Sequence, residues 1–125
     1  ISQAIEIRDQ NSGNKNRSIL KTAVDFIDSH YMEEDMSLNK AANAANVSAN
    51  HFSALFSQNM GQTFIEYLTN LRMNKAKEYL RCTSMRSSEI AGEIGYKDAH
   101  YFSYLFKKTQ GMTPSDYRKA REDKA

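Results

Sequence analysis

From Ser18 onward, apolar residues recur at spacings of three and four, and no segment shows the two-residue alternation of a half-buried strand. Ile19, Ala23, Phe26, Ile27 and Tyr31 predict a first amphipathic helix. Ser37 is placed to cap a second, in which Ala41, Ala42 and Ala45 are small enough to let a neighbouring helix approach closely. Ser48 is a natural N-cap for a helix over 49–60 that buries Phe52, Leu55 and Phe56, and Gly61 suits the left-handed C-cap that ends it. Thr63 opens a long helix to about Arg81, its stripe formed by Phe64, Tyr67 or Leu68, Leu71, Ala76, Tyr79 and Leu80. Ser87 or Ser88 caps a short helix through Glu93, Gly95 makes a turn, and Asp98 caps a helix over 99–110 that ends at Gly111. The single proline, Pro114, takes the first position of a last helix, Ser115 to Glu122. The expected fold is all-α, with about seven helices.

Part of this pattern occurs twice. Phe52-Ser53-x-Leu55-Phe56-x4-Gly61-x-Thr63 returns as Phe102-Ser103-x-Leu105-Phe106-x4-Gly111-x-Thr113. Upstream of each copy lies a short apolar run, Leu38-x-x-Ala41-Ala42-x-x-Ala45 and Ile90-Ala91-x-x-Ile94-Gly95, with one extra residue in the second turn. A repeated short helix, tight turn and longer helix predicts two helix-turn-helix units. The expected boundaries are 18–62 for the first, 63–82 for a linker helix and 83–125 for the second. Residues 1–17 are expected to be a linker from an upstream domain, with residues 1–10 as the end of a helix continuing from it and a hinge where Asn11 to Asn16 have linker composition. A chain that begins at Ile1 is expected to be part of a longer protein.

Composition narrows the function classes. A content of 40% hydrophobic and 26% charged residues is ordinary for a globular domain. No apolar run approaches the roughly 18 residues of a membrane span. The single cysteine, Cys82, allows no internal disulfide, fits a reducing cytoplasm, and reads as a semi-buried side chain near a helix end. Net charge is only +2, but its distribution is uneven: residues 1–60 carry five Lys/Arg against seven Asp/Glu, and residues 61–125 carry twelve against eight. A local basic face suffices to hold phosphate.

The recognition helix of such a unit enters the major groove, which is wide enough to admit it. With Phe, Leu and Phe committed inward, the first long helix exposes Asn50, Ser53, Ala54 and Ser57. The second exposes Ala99, His100, Ser103, Tyr104, Lys107 and Lys108. Both faces are polar, short or aromatic, and nearly free of acid, which suits a polyanion. A 19-residue linker helix spans roughly 28 Å, close to the ~34 Å between successive major grooves on one side of DNA. The expectation is a monomer that reads double-stranded DNA at two half-sites.

Ser37-Leu38-x-x-Ala41-Ala42, Gly61-x-Thr63-Phe64-x-x-Tyr67-Leu68, Arg72-x-x-x-Ala76, and Glu89-Ile90-Ala91-x-x-Ile94-Gly95-Tyr96-x-Asp98-x-x-Tyr101-Phe102-Ser103 follow in series. They end in Phe106-Lys107-Lys108-x-x-Gly111-x-Thr113-Pro114-x-x-Tyr117-Arg118. Over about residues 18–121 the chain resembles the DNA-binding domain of AraC/XylS-type bacterial transcription regulators. The resemblance implies promoter binding and activation through contacts with RNA polymerase. It implies base contacts from Asn50, Ser53, Ala54, Ala99, His100, Tyr101 and Tyr104. Ser48, Ser57, Lys97, Ser103, Lys107 and Lys108 are then the phosphate contacts. Structural roles fall to Arg72, in an ion pair with Asp98, and to Gly61, Gly111 and Pro114. The leading segment is similar to linkers in members fused to a phosphoacceptor receiver domain, so an N-terminal signal-receiving domain is an expected partner. Ala41 and Ala45 stand where larger aliphatics are commoner, and Ala54 offers little base-reading chemistry. The first unit is therefore expected to be the looser and less discriminating.

Rival functions have weaker support. Three scattered histidines and one cysteine lack the ligand spacing of a zinc site, so neither metal nor cofactor is expected. His51 reads as partly buried or facing phosphate. No nucleophile–base motif or Gly-rich phosphate loop points to an enzyme. The aromatics fall mostly on buried stripes, which leaves no stacking platform for single-stranded RNA. A helical protein-interaction module without DNA binding is the alternative function.

Overall fold

The computed structural model describes residues 2–124, and side chains over 15–121. Among the described residues seven helices follow one another: α1 (Ser2–His30), α2 (Leu38–Ala44), α3 (Ala49–Met60), α4 (Phe64–Cys82), α5 (Ser87–Glu93), α6 (Ala99–Gln110) and α7 (Pro114–Lys124). No strand occurs among the described residues.

The chain forms two compact units. Among the described residues the first comprises 2–29 and 37–67, and the second 30–36 and 68–124, so the boundary falls inside α4. In the first unit Ala23, Ile27, Ala41, Ala42, Phe52, Leu55, Phe56 and Phe64 are buried. The rings of Phe52, Phe56 and Phe64 meet with centroids 5.5–6.4 Å apart, the tilted geometry that aromatic quadrupoles favour. The second unit closes around Met73, Ala76, Leu80, Ile90, Ala91, Ile94, Phe102 and Phe106.

Local chemistry sets most helix ends. The hydroxyls of Ser37 and Ser48 accept from the N–H groups of Lys40 and His51. Thr63 and Glu66 cap α4 reciprocally: Thr63 N–H donates to Glu66 Oε1 at 2.9 Å, and Glu66 N–H donates to Thr63 Oγ1 at 3.1 Å. Gly61 and Gly111 end α3 and α6 with φ of +70° and +86°, a region that costs little only without a Cβ.

Three expectations need correction. A single helix, α1, runs through Asn11–Asn16 where composition suggested a hinge. Polar residues lower helix propensity by fractions of a kcal/mol, and no proline is present to break the ladder. Helix α5 is capped by Arg86 rather than by Ser87 or Ser88; Ser87 is already helical, and Arg86 N–H donates to Glu89 Oε1 at 3.1 Å. Cys82 is exposed rather than semi-buried, because it lies at the end of α4 on the side away from Leu80. No helix among the described residues is long and apolar enough to cross a membrane.

Candidate nucleic-acid interface

In the second unit α5 and α6 flank a turn built on Gly95. The peptide chain reverses there with φ of +104°, and Tyr96 N–H donates to Ala91 O at 2.9 Å. Asp98 then caps α6, its Oδ1 accepting from His100 N–H at 2.8 Å. Phe102 and Phe106 are fully buried and anchor α6. The helix therefore presents the opposite side: His100, Tyr101, Tyr104, Lys107 and Lys108 are exposed, Ala99 and Ser103 half-buried, and Lys97 is exposed in the turn before it.

One of these rings, Tyr101, is held from within. Tyr101 meets Tyr96 edge-on at 5.8 Å, and Tyr96 stacks on buried Phe102 at 6.1 Å with an interplanar angle of 28°. Desolvation raises the Tyr96 phenol above its ordinary pKa, with the Arg72 guanidinium opposing the shift. The Lys108 ammonium sits 5.9 Å above the Tyr104 ring, the outer limit of a cation–π contact.

The first unit repeats the arrangement with different side chains. Asn46, at φ +59°, stands where the second unit has Gly95, and Val47 N–H donates to Ala42 O at 3.1 Å. Asparagine tolerates this conformation better than most residues. With Phe52, Leu55 and Phe56 buried, α3 exposes Asn50, His51, Ala54 and Gln58, while Ser53 and Ser57 are half-buried. Ser48 is exposed, its hydroxyl engaged as the cap. Of the two readings of His51, partly buried or facing phosphate, its exposure removes the first, since position 51 lies one residue before the inward Phe52 and turns about 100° away from it.

Gln58 joins this face although the sequence pattern did not single it out. It lies four residues after Ala54 and seven after His51, so helical spacing from the exposed positions would have found it. Tyr96 is a further addition, as a support. It stands in the Gly95-Tyr96 motif, but its role was not legible there because the brace runs through a side chain outside α6.

Arg72 does not pair with Asp98, whose carboxylate is occupied as the α6 cap. The arginine is buried, with only 6% of its surface exposed. Its Nε donates to Tyr31 O and its Nη2 to Glu33 O, each at 2.8 Å. The Tyr96 ring covers the guanidinium at 4.8 Å. The expected ion pair fails because two fixed carbonyls at the end of α1 already meet the planar fork of donors. Gly95 completes this packing: a Cβ there would lie 2.7 Å from Arg72 Nη2 and 3.1 Å from Met32 O. At Gly61 and Gly111 a Cβ would meet nothing within 4 Å. Pro114 is buried at the start of α7, where Thr113 Oγ1 accepts from Asp116 N–H at 3.0 Å. Among the described residues no group of three His, Cys, Asp or Glu side chains converges to hold a metal.

Residues 41–120 match the family described as a helix-turn-helix domain. The lactose operon transcription activator of Staphylococcus xylosus is 36% identical over 99 residues, covering 79% of this chain and 35% of that protein. The C-terminal domain of AraT, a response regulator from Geobacillus stearothermophilus, superposes with a TM-score of 0.80 at 40% identity, covering 82% of this chain and 85% of that one. The DNA-binding domain of the transcription factor AdpA, solved with a target DNA, shares the fold with a TM-score of 0.79 at 21% identity, over 86% of this chain and 95% of that one. The chain spans between 12% and 38% of the length of sequence relatives of this kind. With its two glycine-terminated helix-turn-helix units, the chain belongs to the AraC-type helix-turn-helix family of transcription regulators.

Proposed function

We propose that this chain binds double-stranded DNA sequence-specifically, inserting α3 and α6 into successive major grooves, and thereby regulates transcription, chiefly as an activator. One observation carries the reading. Each of these helices is anchored by two buried phenylalanines and turns outward a face without a single carboxylate. Such a face can enter a groove lined by phosphate without like-charge repulsion. Asn50, Ser53, Ala54, Ala99, His100, Tyr101 and Tyr104 are the proposed base contacts. Ser48, Ser57, Lys97, Ser103, Lys107 and Lys108 are the proposed phosphate contacts.

Helix α3 has no Asp, Glu, Lys or Arg, whereas α6 ends in Lys107 and Lys108. The second unit therefore supplies the larger share of the salt-dependent affinity. RNA polymerase and an N-terminal signal-receiving domain are the proposed protein partners, the bacterial cytoplasm the proposed compartment, and a monomer the proposed state of the isolated domain. The role is binding rather than catalysis.

Selection from a randomised duplex pool, followed by fluorescence anisotropy at two salt concentrations, tests the reading. The expected outcome is enrichment of two short half-sites about 10 base pairs apart, with affinity that falls as salt rises. No enrichment and no salt-dependent binding would favour the protein-interaction alternative.

A further inference from the structure

We propose that α6 reads its half-site chiefly through the 5-methyl groups of thymine, packed against the rings of Tyr101 and Tyr104. This rests on the DNA-binding reading above and gives the second half-site a chemical class.

The base pairs of the major groove are read in two ways, by hydrogen bonds to base edges and by apolar contact with the thymine methyl. Guanine is read by a guanidinium or an ammonium, and adenine by a carboxamide. The exposed face of α6 has no guanidinium and no carboxamide, and its ammonium groups are confined to its last turn. Its outward residues are His100, Tyr101, Tyr104, Lys107, Lys108 and Thr109. The one carboxamide on the helix, Gln110, is in its last turn, half-buried and donating to Thr109 Oγ1 at 3.0 Å. In docked helix-turn-helix units the N-terminal residues of the recognition helix meet base edges. Lys107 and Lys108 lie at the opposite end, where phosphate is the fitting partner.

The N-terminal and central turns instead offer two large rings, 51% and 60% exposed. These are rare positions for such apolar area, since the other outward residues of α6 are polar or small. Tyr101 is set in place before any partner arrives. Tyr101 rests on Tyr96, itself stacked on buried Phe102 and covered by Arg72. Tyr104 has the Lys108 ammonium over it. Ordering a side chain on binding costs affinity, so a ring already braced gives more for each contact it makes. Helix α3 provides the contrast. At the positions equivalent to Tyr101 and Tyr104 it has His51 and Ala54, and its exposed face carries the carboxamides of Asn50 and Gln58, which suit adenine edges.

Replacing thymine by deoxyuridine deletes one methyl and leaves every hydrogen-bonding atom in place. The test uses the duplex obtained by selection, with deoxyuridine introduced at each thymine of the half-site whose preference Tyr104→Ala alters. Wild type, Tyr104→Phe and Tyr104→Ala are compared by anisotropy. The expected loss for wild type is about fourfold per contacted methyl, corresponding to the ~0.8 kcal/mol of one buried CH2-sized group. Tyr104→Phe should retain that loss, and Tyr104→Ala should abolish it at the thymine that Tyr104 contacts while keeping it at a thymine packed against Tyr101. Tyr104 is exposed, so neither change threatens the fold. Equal wild-type binding to thymine and deoxyuridine duplexes would overturn the proposal. A Tyr104→Phe variant that behaves like Tyr104→Ala would overturn it in favour of base reading by the phenol hydroxyl. Absence of any salt-sensitive duplex binding would instead bring down the DNA-binding reading itself.

Discussion

Arg72→Ala separates a structural arginine from one that touches DNA. The substitution removes two charge-assisted hydrogen bonds at 2.8 Å and the contact with Tyr96 at 4.8 Å. Hydrogen bonds to charged groups contribute about 1.5–3 kcal/mol each, and a desolvated cation–π contact about 1–2 kcal/mol. The gross loss is therefore about 5 kcal/mol. Some of it is recovered, because Glu33 O also accepts from Met36 N–H at 3.2 Å and keeps that partner once the guanidinium is gone. A net cost of about 3 kcal/mol is a large fraction of the stability of a small domain. At roughly 3–4 °C per kcal/mol for a chain of this size, the melting temperature should fall by about 10 °C. Arg72→Lys should recover only part, since a single ammonium cannot match two carbonyls with a planar fork. Circular dichroism melts of the three proteins, each paired with duplex affinity measured well below its melting temperature, make the assay. A melting temperature within about 2 °C of wild type, together with weakened DNA binding, would refute the reasoning and assign Arg72 to the interface.

Gly95→Ala should destabilise by about 2–3 kcal/mol, through a positive φ and a Cβ pressed against Arg72 and Met32 O. Gly111→Ala, strained in φ but open in space, should cost about 1 kcal/mol; equal losses in urea denaturation would show that the Arg72 contact does not matter. Lys107→Ala with Lys108→Ala should flatten the slope of log affinity against log salt by about one for each phosphate left without its lysine, with little change in base preference. An unchanged slope would show that neither lysine meets phosphate. Burial, followed by the hydrogen bond to Asp28 at 2.8 Å, pushes the Tyr67 phenol up to about 12 from 10.0. The folded state thus holds its proton longer than the unfolded chain does. The stabilisation is complete below pH 10, shrinks as pH rises toward 12, and is lost above it. Between about pH 9 and pH 11, urea midpoints should therefore fall further for wild type than for Tyr67→Phe, and equal falls would refute the shift.

The helices and most of their ends were legible in the sequence because the interactions that set them span a few residues. Ser37, Ser48 and Asp98 cap within three residues of themselves, Thr63 and Glu66 close a reciprocal pair, and Pro114 begins α7 as the missing N–H dictates. Gly61 and Gly111 adopt the positive φ expected from their place after an amphipathic run. The same periodicity identified the outward faces of α3 and α6, since Phe52, Leu55, Phe56, Phe102 and Phe106 leave each helix only one free side. Tertiary structure decided the rest. Arg72 finds its acceptors about forty residues away, on the carbonyls of Tyr31 and Glu33, and no spacing rule distinguishes these from Asp98. Gly95 is required by that guanidinium as much as by its own turn. Tyr101 reads as one more exposed ring until Tyr96 is seen beneath it. Local hydrogen-bond geometry and hydrophobic periodicity are written into consecutive residues, whereas which distant carbonyl meets a buried charge depends on how the chain closes in three dimensions.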